Sequence, residues 1–473
     1  MTRPRTPRAG RPAETDERWN PALWGLLFVL AANMLIDALE VSVALVALPA
    51  IGHDLGLAPA QLQWVVSGFA VGFGALLLFG GRLVTLLGRR PVYLTALLVF
   101  AAASLVSALA DSATLLVATR IVKGFCAALT APTGLAIIAS TFPQGPSRSR
   151  ALSIYSLFGA SGFSVGLLLS GALTETSWRL TFAFPAPLAL LLFAAGLRLI
   201  PPDRPDPTTP RRYDATGALS LTAAMLLLVH ATASGPVTGF DHPHTVGAFA
   251  LAVLLAALFV RTERTAAHPL LNRQLLAHAP LLRSALGAGA LNGSYLGLLL
   301  VTTLELQQRA GFGPWQTGLA FLPAAAPLTL TALHSGRIVT RFGPAPLITA
   351  GATAALAGYA LYPRDDGVLH YTTDVLPTLL LVGAAFVLAF TAFHVQATGS
   401  VPATQQAMAG GLYQTAVQLA AALMTVLCAV LYPAGRGPVL ALITAVAAAG
   451  LAVALRGLAS REAADSAAHR AGP

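Results

Sequence analysis

Residues 22–51 read ALWGLLFVLAANMLIDALEVSVALVALPAI. About 20 apolar residues in a helix suffice to cross the roughly 30 Å of hydrocarbon in a bilayer, and this stretch is longer. Water is absent there, so every backbone N–H and C=O must be satisfied within the chain, which makes the stretch a helix. Its only ionisable residues are Asp37 and Glu40. Each is costly in lipid, so both are expected to face a cavity or a polar partner. Three positions apart, they share one helix face.

The same pattern repeats outward along the chain. Further apolar runs lie at 62–80, 91–110, 113–141, 151–173, 180–199, 214–234, 245–261, 281–306, 314–334, 345–362, 374–397, 406–432 and 437–456. Together they predict an all-α membrane protein of about fourteen transmembrane helices. Composition agrees: 56% of the 473 residues are hydrophobic and 10% charged, against about 25% charged in soluble domains. Alternating ten-residue segments, the mark of a membrane β-barrel, do not occur.

The net charge of +10 does not imply nucleic acid, because the basic residues gather in alternate loops. Arg82, Arg89 and Arg90, Arg148 and Arg150, Arg337 and Arg341 all fall on one side, with the arginines of both terminal segments. That asymmetry predicts cytoplasmic termini in a cell membrane and basic loops against anionic lipid headgroups. Residues 1–20 are polar and proline-rich, and are read as a disordered cytoplasmic tail rather than a signal peptide.

A short motif occurs twice. Gly81-Arg82-Leu83-Val84-Thr85-Leu86-Leu87-Gly88 returns as Gly336-Arg337-Ile338-Val339-Thr340-Arg341-Phe342-Gly343. Each copy follows the second helix of a six-helix half, as in duplicated carriers. The expected organisation is a tail at 1–20, a first lobe at 21–200, a linker with two extra helices at 201–280, a second lobe at 281–457 and a tail at 458–473.

With these residues in hand the chain resembles the major facilitator superfamily, and within it the fourteen-helix drug:proton antiporter branch. Gly81-Arg82-Leu83-(x4)-Gly88-Arg89-Arg90 is similar to the cytoplasmic loop motif, and Arg120-(x3)-Gly124-(x3)-Ala128-(x3)-Pro132 to the fourth-helix motif. Ala47-Leu48-Pro49 resembles the end of the first-helix motif. Trp178-Arg179, Asp214-(x2)-Gly217-Ala218 and Gly313-Pro314-(x3)-Gly318 resemble the entries to the sixth, seventh and tenth helices. The chain departs from the pattern at three places. Thr85 and Thr340 stand where the loop motif has Asp, the fifth helix lacks its proline, and Glu40 stands at the acidic position of the first helix.

Candidate residues follow. Two close carboxylates disfavour joint ionisation, so Glu40, which holds the branch's acidic position, and next Asp37 are expected to carry a proton. Arg120 lies well inside a span and is expected to couple to them. Lys123, the only lysine, is read as snorkelling toward an interface. Asn292, Glu305, His394, Gln396 and Gln414 are candidate substrate-cavity residues, with Glu305 read as a solvated helix end near the outer face. Gly81, Arg82, Thr85, Gly88, Arg89, Gly336, Arg337, Thr340 and Gly343 are candidate gate residues. Gly159, Gly162, Gly166 and Gly171 of the fifth helix would permit close packing and bending.

No P-loop, HExxH or paired CxxC occurs. The GxSxG match at Gly162–Gly166 lies inside an apolar helix with no preceding strand, so it is no nucleophile elbow. No enzymatic activity, metal or cofactor is expected. The resemblance implies proton-coupled export of a small amphipathic or lipophilic compound by alternating access. Its partners would be membrane lipid, the substrate and protons, and the chain would act as a monomer. The alternatives are a metabolite uniporter or symporter, or a non-transporting receptor.

Overall fold

In a computed structural model, residues 19–203, 215–265, 275, 277–365, 367, 369–402 and 405–470 are described. Among them every regular element is helical. The helices are α1 (Pro21–Leu55), α2 (Pro59–Leu87), α3 (Arg89–Ala108), α4 (Ala113–Thr141), α5 (Pro146–Thr174), α6 (Trp178–Ala183), α7 (Pro185–Leu199), α8 (Ala215–Thr238) and α9 (Pro243–Thr265). They continue as α10 (Ala279–Leu304), α11 (Pro314–Ala320), α12 (Leu322–Thr331), α13 (Ser335–Phe342), α14 (Pro344–Leu361), α15 (Leu376–Gly399), α16 (Gln406–Leu431) and α17 (Arg436–Arg470). One π-turn, Glu305–Arg309, extends α10, and another, Tyr371–Val375, leads into α15.

Eleven of these stretches are long and apolar enough to cross a membrane, and three shorter apolar helices complete the fourteen expected spans. The sixth span is broken into α6 and α7 at Pro185, and the tenth into α11 and α12 near Pro323. Prolines also begin α1, α2, α5, α10, α11 and α14. A first-turn N–H has no intrahelical partner, so proline loses nothing there.

Packing gives two bundles. In the first, α1 lies along α5, α2 along α4, and α3 against α4 and α7. In the second, α10 lies along α16, α12 along α15, and α14 against α15 and α17. The bundles meet through two matched seams, α2 on α16 and α5 on α11 and α12. Helix α8 sits over the α2–α16 seam, and α9 packs on α8.

The duplicated motif has a duplicated geometry. Gly88 adopts φ 89°, ψ 156° and Gly343 adopts φ 78°, ψ 156°, each turning the chain into the next helix. A positive φ of this kind suits glycine, which has no Cβ to clash.

Successive spans run in opposite directions, so with fourteen spans the start of α1 and the end of α17 fall on one face, here called the termini face. In the half away from it, α1 and α10 are enclosed on all sides: Val43–Leu48 and Gly293–Leu306 are all buried. Gly171 of α5 approaches α11 so closely that a Cβ there would lie 2.8 Å from the Pro314 carbonyl oxygen. The lobes are therefore closed against each other on the far side.

Candidate functional site

A cluster of buried charges lies where α1 crosses α4. Glu40, Arg120 and Lys123 are each 0% exposed. Arg120 and Lys123 lie three positions apart on α4 and grip one carboxylate from two sides. Arg120 Nη1 is 2.5 Å from Glu40 Oε2, and Lys123 Nζ is 2.6 Å from Glu40 Oε1. Arg120 also donates from Nε to the Val65 carbonyl at 2.7 Å and from Nη2 to the Glu40 carbonyl at 2.9 Å. Such additional charge-assisted hydrogen bonds offset the cost of burying a guanidinium.

Glycines make this reach possible. A Cβ on Gly124 would lie 2.2 Å from the Phe69 carbonyl oxygen, and one on Gly72 would lie 2.3 Å from that of Ile121. Any larger residue would push α2 off α4 and carry Val65 away from Arg120. Aromatic faces close the cage. The Arg120 guanidinium lies 4.8 Å from the Phe69 ring centre, and Lys123 Nζ lies 5.0 Å from Phe100 and 5.5 Å from Phe182. The expectation that Lys123 snorkels is thus corrected: its ammonium points inward because Glu40 offers it a counter-charge.

Asp37 lies one turn nearer the termini face and is 4% exposed. Its Oδ2 accepts from Asn33 Nδ2 at 3.0 Å and from Thr130 Oγ1 at 2.7 Å. It has no cation within salt-bridge distance among the described residues. Thr130 Oγ1 is also 3.1 Å from the Cys126 carbonyl. Two carboxylates and two cations thus share one buried region, neutral in sum when all are ionised.

Helix α5 is moulded onto this part of α1. A Cβ on Gly159 would lie 3.0 Å from Met34 Cε, one on Gly162 2.4 Å from the Leu35 carbonyl oxygen, and one on Gly166 2.2 Å from Ser42 Oγ. These contacts bracket Asp37 and Glu40. Further along, α5 faces the second lobe, where Ser164 Oγ is 3.2 Å from Thr329 Oγ1.

The far side carries two polar contacts between lobes that the sequence did not suggest. Gln307, on the π-turn after α10, donates to the Val46 carbonyl at 2.9 Å, in the stretch of α1 that Pro49 interrupts. Glu175 Oε1 accepts from the Trp315 backbone N–H at 3.0 Å. Glu305 is not a solvated helix end. It is 1% exposed and meets Arg436 at 3.1 Å, the Tyr432 hydroxyl at 2.8 Å and Arg309 at 3.5 Å. The sequence hid this because Arg436 arrives from the start of α17.

Of the other expected cavity residues, Asn292 on α10 and Gln414 on α16 are half-buried, and Gln396 accepts from Ser284 at 3.0 Å. His394 is exposed, and its ring lies 5.6 Å from the Tyr413 ring. In the first gate motif, the Gly81, Arg82 and Thr85 side chains lie outside the described residues. The Arg89 and Arg90 backbone N–H groups donate to the Asp203 carboxylate at 2.6 and 3.1 Å, and Gly88 sits against it. In the second, Gly336 and Arg337 are exposed, Thr340 donates to the Arg337 carbonyl at 3.0 Å, and the Gly343 N–H donates to the Val339 carbonyl at 2.9 Å.

Comparison with known proteins agrees with this architecture. The family model described as Major Facilitator Superfamily matches residues 30–425. The puromycin resistance protein of Streptomyces alboniger is 34% identical over 86% of this chain and 80% of its own length. The lincomycin resistance protein of Streptomyces lincolnensis is 33% identical over 88% of this chain and 86% of its own. A crystal structure of the nucleoside transporter NupG superposes with a TM-score of 0.62 at 12% identity, covering 92% of this chain and 99% of that one.

Proposed function

Because the chain belongs to the Major Facilitator Superfamily, we propose that it exports a small amphipathic antibiotic-like compound in exchange for protons, with Asp37 as the proton carrier. The termini face is cytoplasmic on this reading, so lobes closed on the far side describe an inward-facing carrier. The likeness to puromycin and lincomycin resistance proteins supports an antibiotic as cargo.

One observation carries the choice of Asp37: its hydrogen-bond shell suits both protonation states. When Asp37 is ionised, the Thr130 hydroxyl donates to it. When Asp37 is protonated, its own O–H donates to Thr130 Oγ1, and the Thr130 hydroxyl turns to the Cys126 carbonyl 3.1 Å away. Neither state strands a buried donor, a fault that costs about 1–3 kcal/mol. Glu40, which the sequence favoured, must give up two ion pairs to accept a proton. It serves better as the fixed anion that holds Arg120 and Lys123.

Protonation of Asp37 places one net positive charge in a region otherwise neutral. The glycine face of α5 lies against α1 there, and α5 in turn bears on α11 and α12. A change at Asp37 therefore reaches the seam about which the lobes would rock.

The test uses proteoliposomes and a panel that includes puromycin and lincomycin. Wild-type protein accumulates its substrate only with a pH gradient. Asp37→Asn, which keeps the shape and the Thr130 contact, should lose gradient-driven accumulation and keep energy-independent exchange. Accumulation that still follows the gradient in Asp37→Asn would remove Asp37 from the mechanism.

A further inference from the structure

An aromatic lane runs along the second lobe to the seam between the lobes. On α15, Phe386, Phe390 and His394 recur every four positions and so lie on one face. Phe386 is 6% exposed, Phe390 36%, and His394 is exposed, so exposure increases along the lane toward the termini face. At its inner end Phe386 lies 4.6 Å from Tyr295 of α10, and Tyr295 lies 5.6 Å from Phe163 of α5 in the other lobe. The last contact crosses the seam, so the lane ends at a bridge that rocking of the lobes would part.

Two features separate this lane from ordinary core. The Tyr295 side chain is 4% exposed, and its hydroxyl has no hydrogen-bond partner. A buried Tyr O–H usually finds a partner; the Tyr93 and Tyr413 hydroxyls are unpartnered too, but of the three only Tyr295 has a ring contact across the lobe seam, where a bound compound could supply the acceptor. The lane also lacks a counter-ion for a cation. The acidic residues described in the second lobe are Glu305, Asp365 and Asp374, all toward the far side, and Glu305 is held by Arg436. In the first lobe, Glu40 is taken by two cations and Asp37 by Asn33 and Thr130. Ring faces attract cations, but by far less than the cost of stripping a permanent charge of water without a carboxylate to meet it.

We propose that this lane is the substrate subsite, and that it takes a neutral, planar aromatic compound whose carbonyl or ether oxygen accepts from the Tyr295 hydroxyl. The assignment rests on the export reading above and narrows it. The compound stacks between Phe163 and Phe386 and enters past Phe390 and His394.

Binding to purified full-length protein in lipid nanodiscs tests this, followed by tryptophan quenching. The probes are 1,8-dihydroxyanthraquinone, which is planar, neutral and rich in carbonyls, and ethidium, a planar cation. Wild-type protein should bind the anthraquinone and prefer it to ethidium. Tyr295→Phe, which keeps the ring, should weaken anthraquinone binding about 3- to 10-fold, as expected for one net hydrogen bond. Phe390→Leu should weaken it as well, and neither change should alter ethidium binding. Binding in nanodiscs is read at one pH with no gradient across the membrane, which keeps a failure of the proton reading distinct from a failure of the subsite. Equal anthraquinone affinity in wild type and Tyr295→Phe overturns the assignment, as does tighter binding of ethidium than of the anthraquinone.

Discussion

The cluster at the α1–α4 crossing makes a quantitative demand on Glu40. In Glu40→Gln, Arg120 and Lys123 both lose their carboxylate while remaining fully buried. Removing one partner of a buried ion pair costs about 3–5 kcal/mol, because the other charge is left uncompensated. The loss falls unequally. Arg120 keeps the Val65 and Glu40 carbonyls. Lys123 Nζ keeps only the ring faces of Phe100 and Phe182. Most of the penalty therefore resides in Lys123, and Lys123→Met should relieve it. The expected cycle is a loss of about 3–5 kcal/mol in Glu40→Gln, and recovery of about 2 kcal/mol or more when Lys123→Met is added, within the range of coupling for residues in direct contact. Lys123→Met alone should cost little, since Glu40 still has Arg120. Unfolding of the four proteins in detergent, followed by tryptophan fluorescence against SDS fraction, measures the cycle. A Glu40→Gln protein as stable as wild type, or no recovery in the double variant, would refute the account of Glu40 as the anion that holds both cations.

Three further outcomes follow from the helix contacts. Gly162→Leu places side-chain atoms where even a Cβ would be 2.4 Å from the Leu35 carbonyl oxygen; overpacking of about 1–3 kcal/mol and loss of transport are expected. Gly247→Leu on α9, where a Cβ meets nothing within 4 Å, should behave as wild type in the same vesicle assay. Glu175→Gln weakens an exposed carboxylate's contact with the Trp315 N–H across the seam, by about 0.3–1 kcal/mol. The closed far side should lose population about 2- to 5-fold, read as longer distances between spin labels placed on the two lobes at that face.

How much of this was legible in the sequence depends on where each partner is written. The spans were legible because lipid constrains composition over some 20 residues at a time. Asp37, Glu40 and Arg120 were legible because an ionisable residue in an apolar run stands out. Lys123 was misread, since the sequence gives its depth but not that Glu40, 83 positions earlier by number, points back at it. Glu305 was misread for the same reason, its partner Arg436 lying beyond four intervening spans. Gln307, Glu175 and Asp203 gave no signal at all. Their partners are the Val46 carbonyl and the Trp315, Arg89 and Arg90 N–H groups. A backbone group has no letter of its own, so a contact with one leaves no pattern to read.

The arrangement of these groups constrains how two cargoes can be coupled. The buried cluster, with both of its carboxylates, belongs to the first lobe, while the aromatic lane lies in the second and touches the first through Phe163. A proton on Asp37 and a neutral compound beside Tyr295 therefore do not compete for one carboxylate. On the export reading proposed above, exchange would come instead from the lobes' shared equilibrium, each cargo favouring a different arrangement. Helix α5 is the element placed to transmit this. Its glycines hold α1 beside Asp37, Phe163 closes the lane, Ser164 reaches Thr329, and Gly171 presses on Pro314. One helix thus contacts the proton site's backbone, the end of the lane and the far-side closure. If both proposals hold, substitutions along α15 would change the cargo while leaving the proposed proton site on α1 and α4 intact.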